Sequence, residues 1–407
     1  MDSKKAIDFA SSRKMTCQNV DPFNKLDDGV MENILARSRM IDLFYLQLVC
    51  KRWGSLILSS EFKITSRQLV NRFPWLFMVD FESSIMAAYD MEARVWRQNC
   101  FPIPTNIDGT QGTPLTSSSG LMCLKTDERN LIVCNPLTGS TRLIQELELD
   151  EDETVAMHVG ESYFKVFLFQ KRSLSTEMKV YSSLDNTWTS LSIEKHISCN
   201  AEDEDTYSWS WIPSHGVAVV NASGTVMVYY VNDGEHFIGV DTDERVAYVY
   251  PLPLKDEAIA YSFAECMGRI FAVVLTALEA VAPDQITDEG DSDVNLGKAT
   301  LQLLELGHEN QWKAVAKLPE NMCADYNFSD ALVMCGGYDN YILICLSPDL
   351  DEEDPYMVIS YKLLENSWEI LALPPCYDCQ SGARKSFTFT IPVMPSLHKN
   401  LQGENIF

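Results

Sequence analysis

The sequence predicts a mainly β protein: a small N-terminal three-helix module, then a six-bladed ring of antiparallel sheets closed by a C-terminal strand. Three observations carry that reading. Helical apolar spacing is confined to residues 26 to 64, a Tyr-turn-Trp pattern recurs along the rest, and the first sheet of the ring is one strand short.

Bulk properties narrow the class. A chain of 407 residues suits two or three domains, or one large closed fold with an appendage. Its 46% apolar content is ordinary for a globular protein. No apolar run approaches the ~18 residues of a membrane span. The N-terminus, MDSKKAIDFASSRKM, is charged and lacks the apolar stretch of a secretion signal, so the expected location is cytoplasm or nucleus. The 12 cysteines follow no framework spacing and read as small buried hydrophobes of a reducing compartment. Cys376 and Cys379 have metal-like spacing but no second pair, so neither a metal nor a cofactor is expected. The formal net charge of -26 argues against nucleic acid and anionic membranes, which demand clustered Lys and Arg. Residues 21 to 72 hold 8 Lys or Arg against 6 Asp or Glu, so the acidic excess lies beyond them. The expected organisation is a tail at 1–21, the helical module at 22–66, a linker at 67–74, the ring at 75–395 and a tail at 396–407.

In the helical module, Val30, Met31, Ile34 and Leu35 form one face of a short amphipathic helix. Asp27 and Asp28 stand where carboxylates cap its free amides and complement its dipole. A second apolar set, Leu43, Leu46, Val49, Cys50 and Trp53, continues the helical spacing, with Asp42 as its expected cap. A third helix is expected from Ser55 to Ser59. Three helices in about 40 residues cannot bury a sufficient core alone, so the module should dock its apolar face on a partner.

The run VCKRWGSLI, with its Leu26-led first helix, resembles the F-box over residues 22 to 66, most specifically from Val49 to Trp53. The resemblance implies binding to the Skp-type adaptor of cullin-based SCF ubiquitin ligases. By position it implies that Leu26, Ile34, Leu35, Leu43, Leu46, Val49, Cys50 and Trp53 are shared between adaptor contact and internal packing. Leu26-Asp27 and Ser38-Arg39 stand where that family usually has Leu-Pro. Proline stiffens the start of a helix, so its loss is expected to weaken adaptor affinity without removing the apolar face.

The repeats define the ring. YDMEARVW, YSSLDNTW and YKLLENSW place Tyr89 before Trp96, Tyr181 before Trp188 and Tyr361 before Trp368 at one spacing. Weaker copies pair Cys134 with Thr141, Val240 with Ala247 and, with one residue inserted, Leu304 with Trp312, which makes six. The polar segment of each copy reads as a hairpin turn, and the aromatics flanking it as packing between neighbouring sheets. Several copies end in Phe-Pro or Leu-Pro, at Pro102, Pro253, Pro319 and Pro374, where proline stops the strand. Strand-like runs between the copies, among them GLMCL, TVMVYYV and YILICL, supply the remaining strands of a β-propeller.

Before the second blade only WLFMVDF, IMAAYDM and VWRQNCF are offered, so the missing innermost strand is expected from SFTFTIPVM at 386–394. Four acidic runs, Glu146 to Glu153, Glu202 to Asp205, Asp288 to Asp293 and Asp349 to Asp354, fall in connections that share one face. That face is opposite the one where the helical module is attached. Glu151, Asp152, Asp203, Glu204, Asp291, Asp351 and Glu352 would there attract a basic client, or else merely solvate the loops.

The ring resembles kelch repeats, and more particularly the kelch-like or F-box-associated region of plant F-box proteins. Gly336-Gly337 ahead of Tyr361 and Trp368 is its best match to a kelch blade, and CNPLTGSTRLI resembles the NP-L-T segment of the plant group. The combination implies a non-catalytic substrate receptor of an SCF ligase, its partners an adaptor, a cullin and an unidentified client. The alternative is a propeller that holds partners without driving their degradation. No histidine pairing, Gly-rich phosphate loop, GxSxG or HExxH supports an enzyme.

Overall fold

The computed structural model describes residues 25–98, 112–198, 216–277, 299–373 and 390–393, less 60, 63–72, 81–84, 127, 137–139, 145–152, 161, 171–176, 194, 222, 233–235, 255–256, 308–309, 324–330 and 348–356. The chain divides into two compact units, Met1–Asn71 and Arg72–Phe407.

The first unit holds α1 (Asp28–Ala36), α2 (Met40–Leu46) and α3 (Lys51–Leu58). The two aspartates ahead of α1 divide their work. Asp27 is the N-cap and accepts from the Gly29 amide at 2.9 Å. Asp28 instead holds the Arg52 guanidinium of α3 at 2.6 Å, and Arg52 also donates to the Leu26 carbonyl, so α3 is clipped to the start of α1. The apolar set from Leu43 to Trp53 is not one helix. Its spacing runs across a break, because α2 stops at Leu46 and Cys50, extended at φ -158°, caps α3. Gly54 permits this corner: a Cβ there would lie 2.9 Å from the Gln47 carbonyl oxygen. Nor is Asp42 the cap of α2. Arg39 takes that position without a side-chain cap bond, and Asp42 pairs with it at 2.8 Å from within the first turn. Met31, Leu35, Ala36, Ile41, Leu43, Ile57 and Phe62 form the unit's small buried core.

The second unit is a six-bladed propeller. In chain order β1 (Trp75–Asp80), β2 (Ile85–Asp90) and β3 (Val95–Gln98) begin the first blade. The second holds β4 (Gly112–Ser118), β5 (Leu121–Thr126), β6 (Leu131–Cys134) and β7 (Thr141–Ile144). The third holds β8 (Glu153–Val159), β9 (Phe164–Gln170), β10 (Glu177–Ser182) and β11 (Thr187–Ser192). After β12 (Lys195–Ser198), the fourth holds β13 (Val217–Val220), β14 (Val226–Asn232), β15 (His236–Asp241) and β16 (Val246–Pro251). The fifth holds β17 (Ala258–Cys266), β18 (Arg269–Ala277), β19 (Ala299–Leu306) and β20 (Trp312–Lys317). The sixth holds β21 (Leu332–Tyr338), β22 (Tyr341–Ser347), β23 (Met357–Lys362) and β24 (Ser367–Leu371). Finally β25 (Thr390–Val393) pairs antiparallel with β1, Trp75 opposite Val393, and completes the first blade from its inner side. The expected closure by the C-terminal run is thus present. One element was not foreseen: β12 adds a fifth strand to the fourth blade, parallel to β16.

The repeat is the hairpin between the third and fourth strands of a blade. Tyr89 faces Trp96, Tyr181 faces Trp188, Tyr361 faces Trp368, Cys134 faces Thr141 and Val240 faces Ala247, all as direct cross-strand partners. The fifth blade departs: Trp312 faces Leu306 rather than Leu304, next to the turn, and a register shift follows further along the pair between Leu303 and Leu304. Two positions before the second partner, the backbone is left-handed in five hairpins, at Arg94, Asn186, Arg245, Asn310 and Asn366. Asparagine tolerates that conformation well. In two blades it also serves the repeat, since Asn186 and Asn366 accept from the hydroxyls of Tyr181 and Tyr361 at 2.6 and 2.8 Å.

Neighbouring blades are tied by the tryptophans. The Trp312 indole donates to the Pro251 carbonyl at 2.8 Å, and the Trp96 indole to the Ala372 carbonyl. Pro251 ends the outer strand of the preceding blade and Ala372 directly follows one, each one residue ahead of Leu-Pro. Leu252 and Trp312 share one buried cluster, and Leu373 and Trp96 pack against another. The core lies between the blades. Phe237 of β15 is fully buried and stacks on Phe263 of the next blade at 4.4 Å, with Trp312 at 5.3 Å.

Candidate functional site

Two features of the described residues can engage something else: an apolar face on the helical unit and a cavity on the propeller axis.

The helical unit leaves much of its apolar surface uncovered. Of the eight residues expected at the adaptor, Leu35 and Leu43 are buried and serve internal packing. Leu26, Leu46 and Trp53 are half-buried, and Ile34, Val49 and Cys50 are exposed. Three exposed side chains, Tyr45, Leu48 and Leu58, were missed by the sequence reading, and Val30, read as part of the apolar face of α1, is exposed as well. Val30 and Ile34 lie one turn apart on α1, a spacing that the apolar pattern did signal. Leu48 and Val49 sit in the corner between α2 and α3, where both are well over half exposed. A free unit with this much apolar surface in water has the composition of a binding face rather than of a finished domain.

The helix starts also bear on the missing prolines. Asp27 has φ -59° and ψ 148°, and Arg39 has φ -61° and ψ 151°. Those φ values are the ones a proline ring would enforce. The backbone geometry that Leu-Pro supplies is therefore kept by residues that leave it free in the unfolded chain.

The propeller cavity has a volume of about 520 Å³ and is walled by the inner strands β4, β8, β13, β17 and β21. Its rim carries Ser119, Met267 and Asp339, which sit in the turns that follow β4, β17 and β21. All three have left-handed backbones, at φ 42°, 55° and 51°. The lining also includes Thr116, Ser117, Ser118 and Glu265, and the apolar Met157, Phe263 and Met334. Burial raises the Glu265 carboxyl above its usual range, opposed by the Gly268 amide, which donates to it at 2.8 Å. Cys335, also on the wall, is pushed up to about 12 by burial and is an inert thiol at neutral pH.

The paired glycines of the sixth blade shape this cavity. Both Gly336 and Gly337 line it, and at Gly337 a Cβ would fall 1.9 Å from the Glu265 carbonyl oxygen. The motif is a packing device between β17 and β21 that brings Glu265 to the axis. No local pattern could have announced the cavity, because its walls come from five strands spread between residues 112 and 338.

The acidic residues expected at a client surface, Glu151, Asp152, Asp203, Glu204, Asp291, Asp351 and Glu352, lie outside the described residues, as do Cys376 and Cys379. In the strand order three runs fall between the strands expected, β7 to β8, β18 to β19 and β22 to β23, while the second falls between the unforeseen β12 and β13 of one blade. Glu153, which ends the first run, is no loop residue. It begins β8, is buried, and pairs with Lys179 at 3.4 Å. Among the described residues no group of three or more His, Cys, Asp or Glu has the arrangement of a metal site, and no helix is long and apolar enough to cross a membrane.

Comparison with known proteins agrees with both units. Residues 23–65 match the F-box domain, and residues 103–208 match the F-box associated beta propeller domain. The chain is 25% identical over 406 residues to F-box only protein 13 of Arabidopsis thaliana, a match covering 92% of this chain and 85% of that one. It is also 24% identical to a putative F-box protein of the same plant, over 55% of this chain and 94% of the relative. An F-box/LRR-repeat/kelch-repeat protein of that plant is 26% identical over 41% of this chain and 49% of its own length. The chain therefore joins an F-box domain to an F-box-associated β-propeller, and its relatives are plant F-box proteins.

Proposed function

We propose that the chain is the substrate-recognition subunit of an SCF-type cullin-RING ubiquitin ligase, working in the cytoplasm or nucleus. The F-box, taken as residues 22–66, buries apolar side chains against the Skp-type adaptor and through it joins a cullin. The propeller, residues 75–395 in a kelch-like arrangement, holds a client whose lysine receives ubiquitin from the ligase's charged carrier. Acceleration comes from proximity, and no residue of this chain does chemistry. The observation that carries the reading is the exposed apolar face of Ile34, Leu48 and Val49 on a unit that matches the F-box.

The acidic runs, Glu151 and Asp152 among them, are proposed to draw a basic client toward the propeller. Replacing all four with Ser and Gly should lower client capture and its salt dependence; unchanged capture would leave them as solvating loops.

The primary test is capture of purified adaptor by the wild-type chain and by an Ile34→Asp, Val49→Asp variant. Both positions are exposed, so circular dichroism should show an intact propeller in the variant. Binding by wild type and its loss in the variant supports the ligase role. Failure of the wild type to bind would leave a propeller that holds partners without degrading them, a reading favoured by Asp27 and Arg39 at the family's proline positions.

A further inference from the structure

We propose that the axial cavity of the propeller receives the cationic side chain of a client polypeptide, an arginine or lysine, with Glu265 and Asp339 as its counter-charges. This deepens the receptor reading by naming the chemistry of the guest.

The cavity's composition points to such a group. Among the described residues that line it, two carry carboxyl side chains and none is Lys, Arg or His. An anionic guest would meet uncompensated like charge, whereas a cation would find its complement. Its walls are amphipathic in a way that matches a charged head on an alkyl stem. Met157, Met334 and Phe263 contribute apolar residues to the lining, and Thr116, Ser117 and Ser118 contribute hydroxyl-bearing ones. Methionine adapts to stems of different shape, which suits a site for extended side chains.

Glu265 is the most informative member. Among the described residues its carboxylate has one hydrogen bond, the Gly268 amide, against a burial that disfavours its charge. A carboxyl whose pKa is raised by folding lowers stability at neutral pH, since the folded state would rather hold it protonated. The fold nevertheless builds the glycine pair of β21 around this strand, with Gly337 against the Glu265 carbonyl. A side chain that costs stability where it stands, at the wall of an open cavity, marks a binding site more readily than a structural one. The rim agrees. Asp339 is exposed, and its left-handed backbone sets it in the turn at the mouth.

The inner strands of a propeller run in one direction, so the turns after β4, β17 and β21 share a face. The strand ends flanking the acidic runs belong to the other face. The cavity is thus separable from those runs and can be tested alone.

The probe is N-acetyl-arginine N-methylamide, with the lysine analogue beside it and the citrulline analogue as the uncharged near-isostere. Saturation-transfer NMR against the full-length chain should show the arginine or lysine probe bound, and citrulline at least tenfold weaker. Glu265→Gln keeps an oxygen for the Gly268 amide, and Asp339→Asn suits the left-handed turn, so both variants should fold. Their combination should weaken the cationic probe at least tenfold, while Glu265→Gln leaves the melting temperature unchanged or higher. Equal binding of citrulline and arginine would overturn the proposal. So would absence of transfer to wild type at about 10 mM probe, or undiminished binding by the double variant. The adaptor-blind Ile34→Asp, Val49→Asp chain should bind the probe normally. Probe binding without adaptor binding would overturn the ligase reading alone, and the reverse result would overturn only the cavity.

Discussion

The two units of this chain handle apolar surface in opposite ways. The propeller converts it into contacts between blades: Phe237, Tyr361 and Phe271 are almost fully buried, and its exposed large hydrophobics, such as Leu184 and Leu364, stand singly at hairpin tips. The F-box has too little chain to do this. Its buried core is small, Leu56 included with the residues named above, yet Leu48 is 73% and Val49 62% exposed. A ring satisfies its own edges and needs no partner to be stable, while a three-helix unit carries a surface that is finished only by another protein. Stability and recognition are thus sorted onto different parts of the chain, and substitutions should reveal that sorting.

The largest effect should come from the ring's core. Phe237→Ala removes a side chain packed against Tyr229, Phe263 and Trp312, and should cost about 3–5 kcal/mol by thermal or denaturant unfolding. Adaptor affinity should be unchanged wherever the variant remains folded; a fall in affinity under those conditions would break the division of labour. Next, Leu48→Asp should weaken adaptor binding by at least tenfold, about 1.4 kcal/mol, in calorimetric titration, with the melting curve of the propeller unmoved. A smaller loss is expected from Trp312→Phe. It removes the indole that donates to Pro251 and leaves a carbonyl unserved, so unfolding should be easier by about 0.5–1.5 kcal/mol. The smallest effect has the opposite sign. Arg39→Pro fits the existing φ of -61° and should stabilise the F-box by about 0.4–1 kcal/mol through the unfolded chain, offset in part by the lost pair with Asp42. Hydrogen exchange of α2 amides reports it, and faster exchange would mean the missing prolines are not a matter of chain entropy.

Much of this was legible because it is written in short range. A Tyr and a Trp on either side of a turn are one cross-strand pair, so Tyr89, Tyr181 and Tyr361 could be read directly. The missing inner strand of the first blade could be found by counting, and β25 fills it. The errors have physical causes of the same kind. Apolar spacing from Leu43 to Trp53 is helical on both sides of a corner, and periodicity cannot see a break that leaves the phase intact. Trp312 faces a residue nearer the turn than the repeat spacing implied, because composition does not mark the residue at which a strand gives way to its turn. The four residues of β12 are too few to show alternation, and their parallel pairing with β16 is a tertiary event. Glu265 was invisible for a stronger reason. Its role depends on Gly337, more than 70 positions away, and on three further strands that share no pattern with it.

The pairing of β25 with β1 also imposes an order on synthesis. The F-box is complete once residue 66 or so has left the ribosome, whereas the first blade waits for Val393 before its inner strand can be laid. During that interval the inner edge of β1 is without its β25 partner. On the function proposed above, the module that meets the adaptor is therefore synthesised before the ring that holds the client can close.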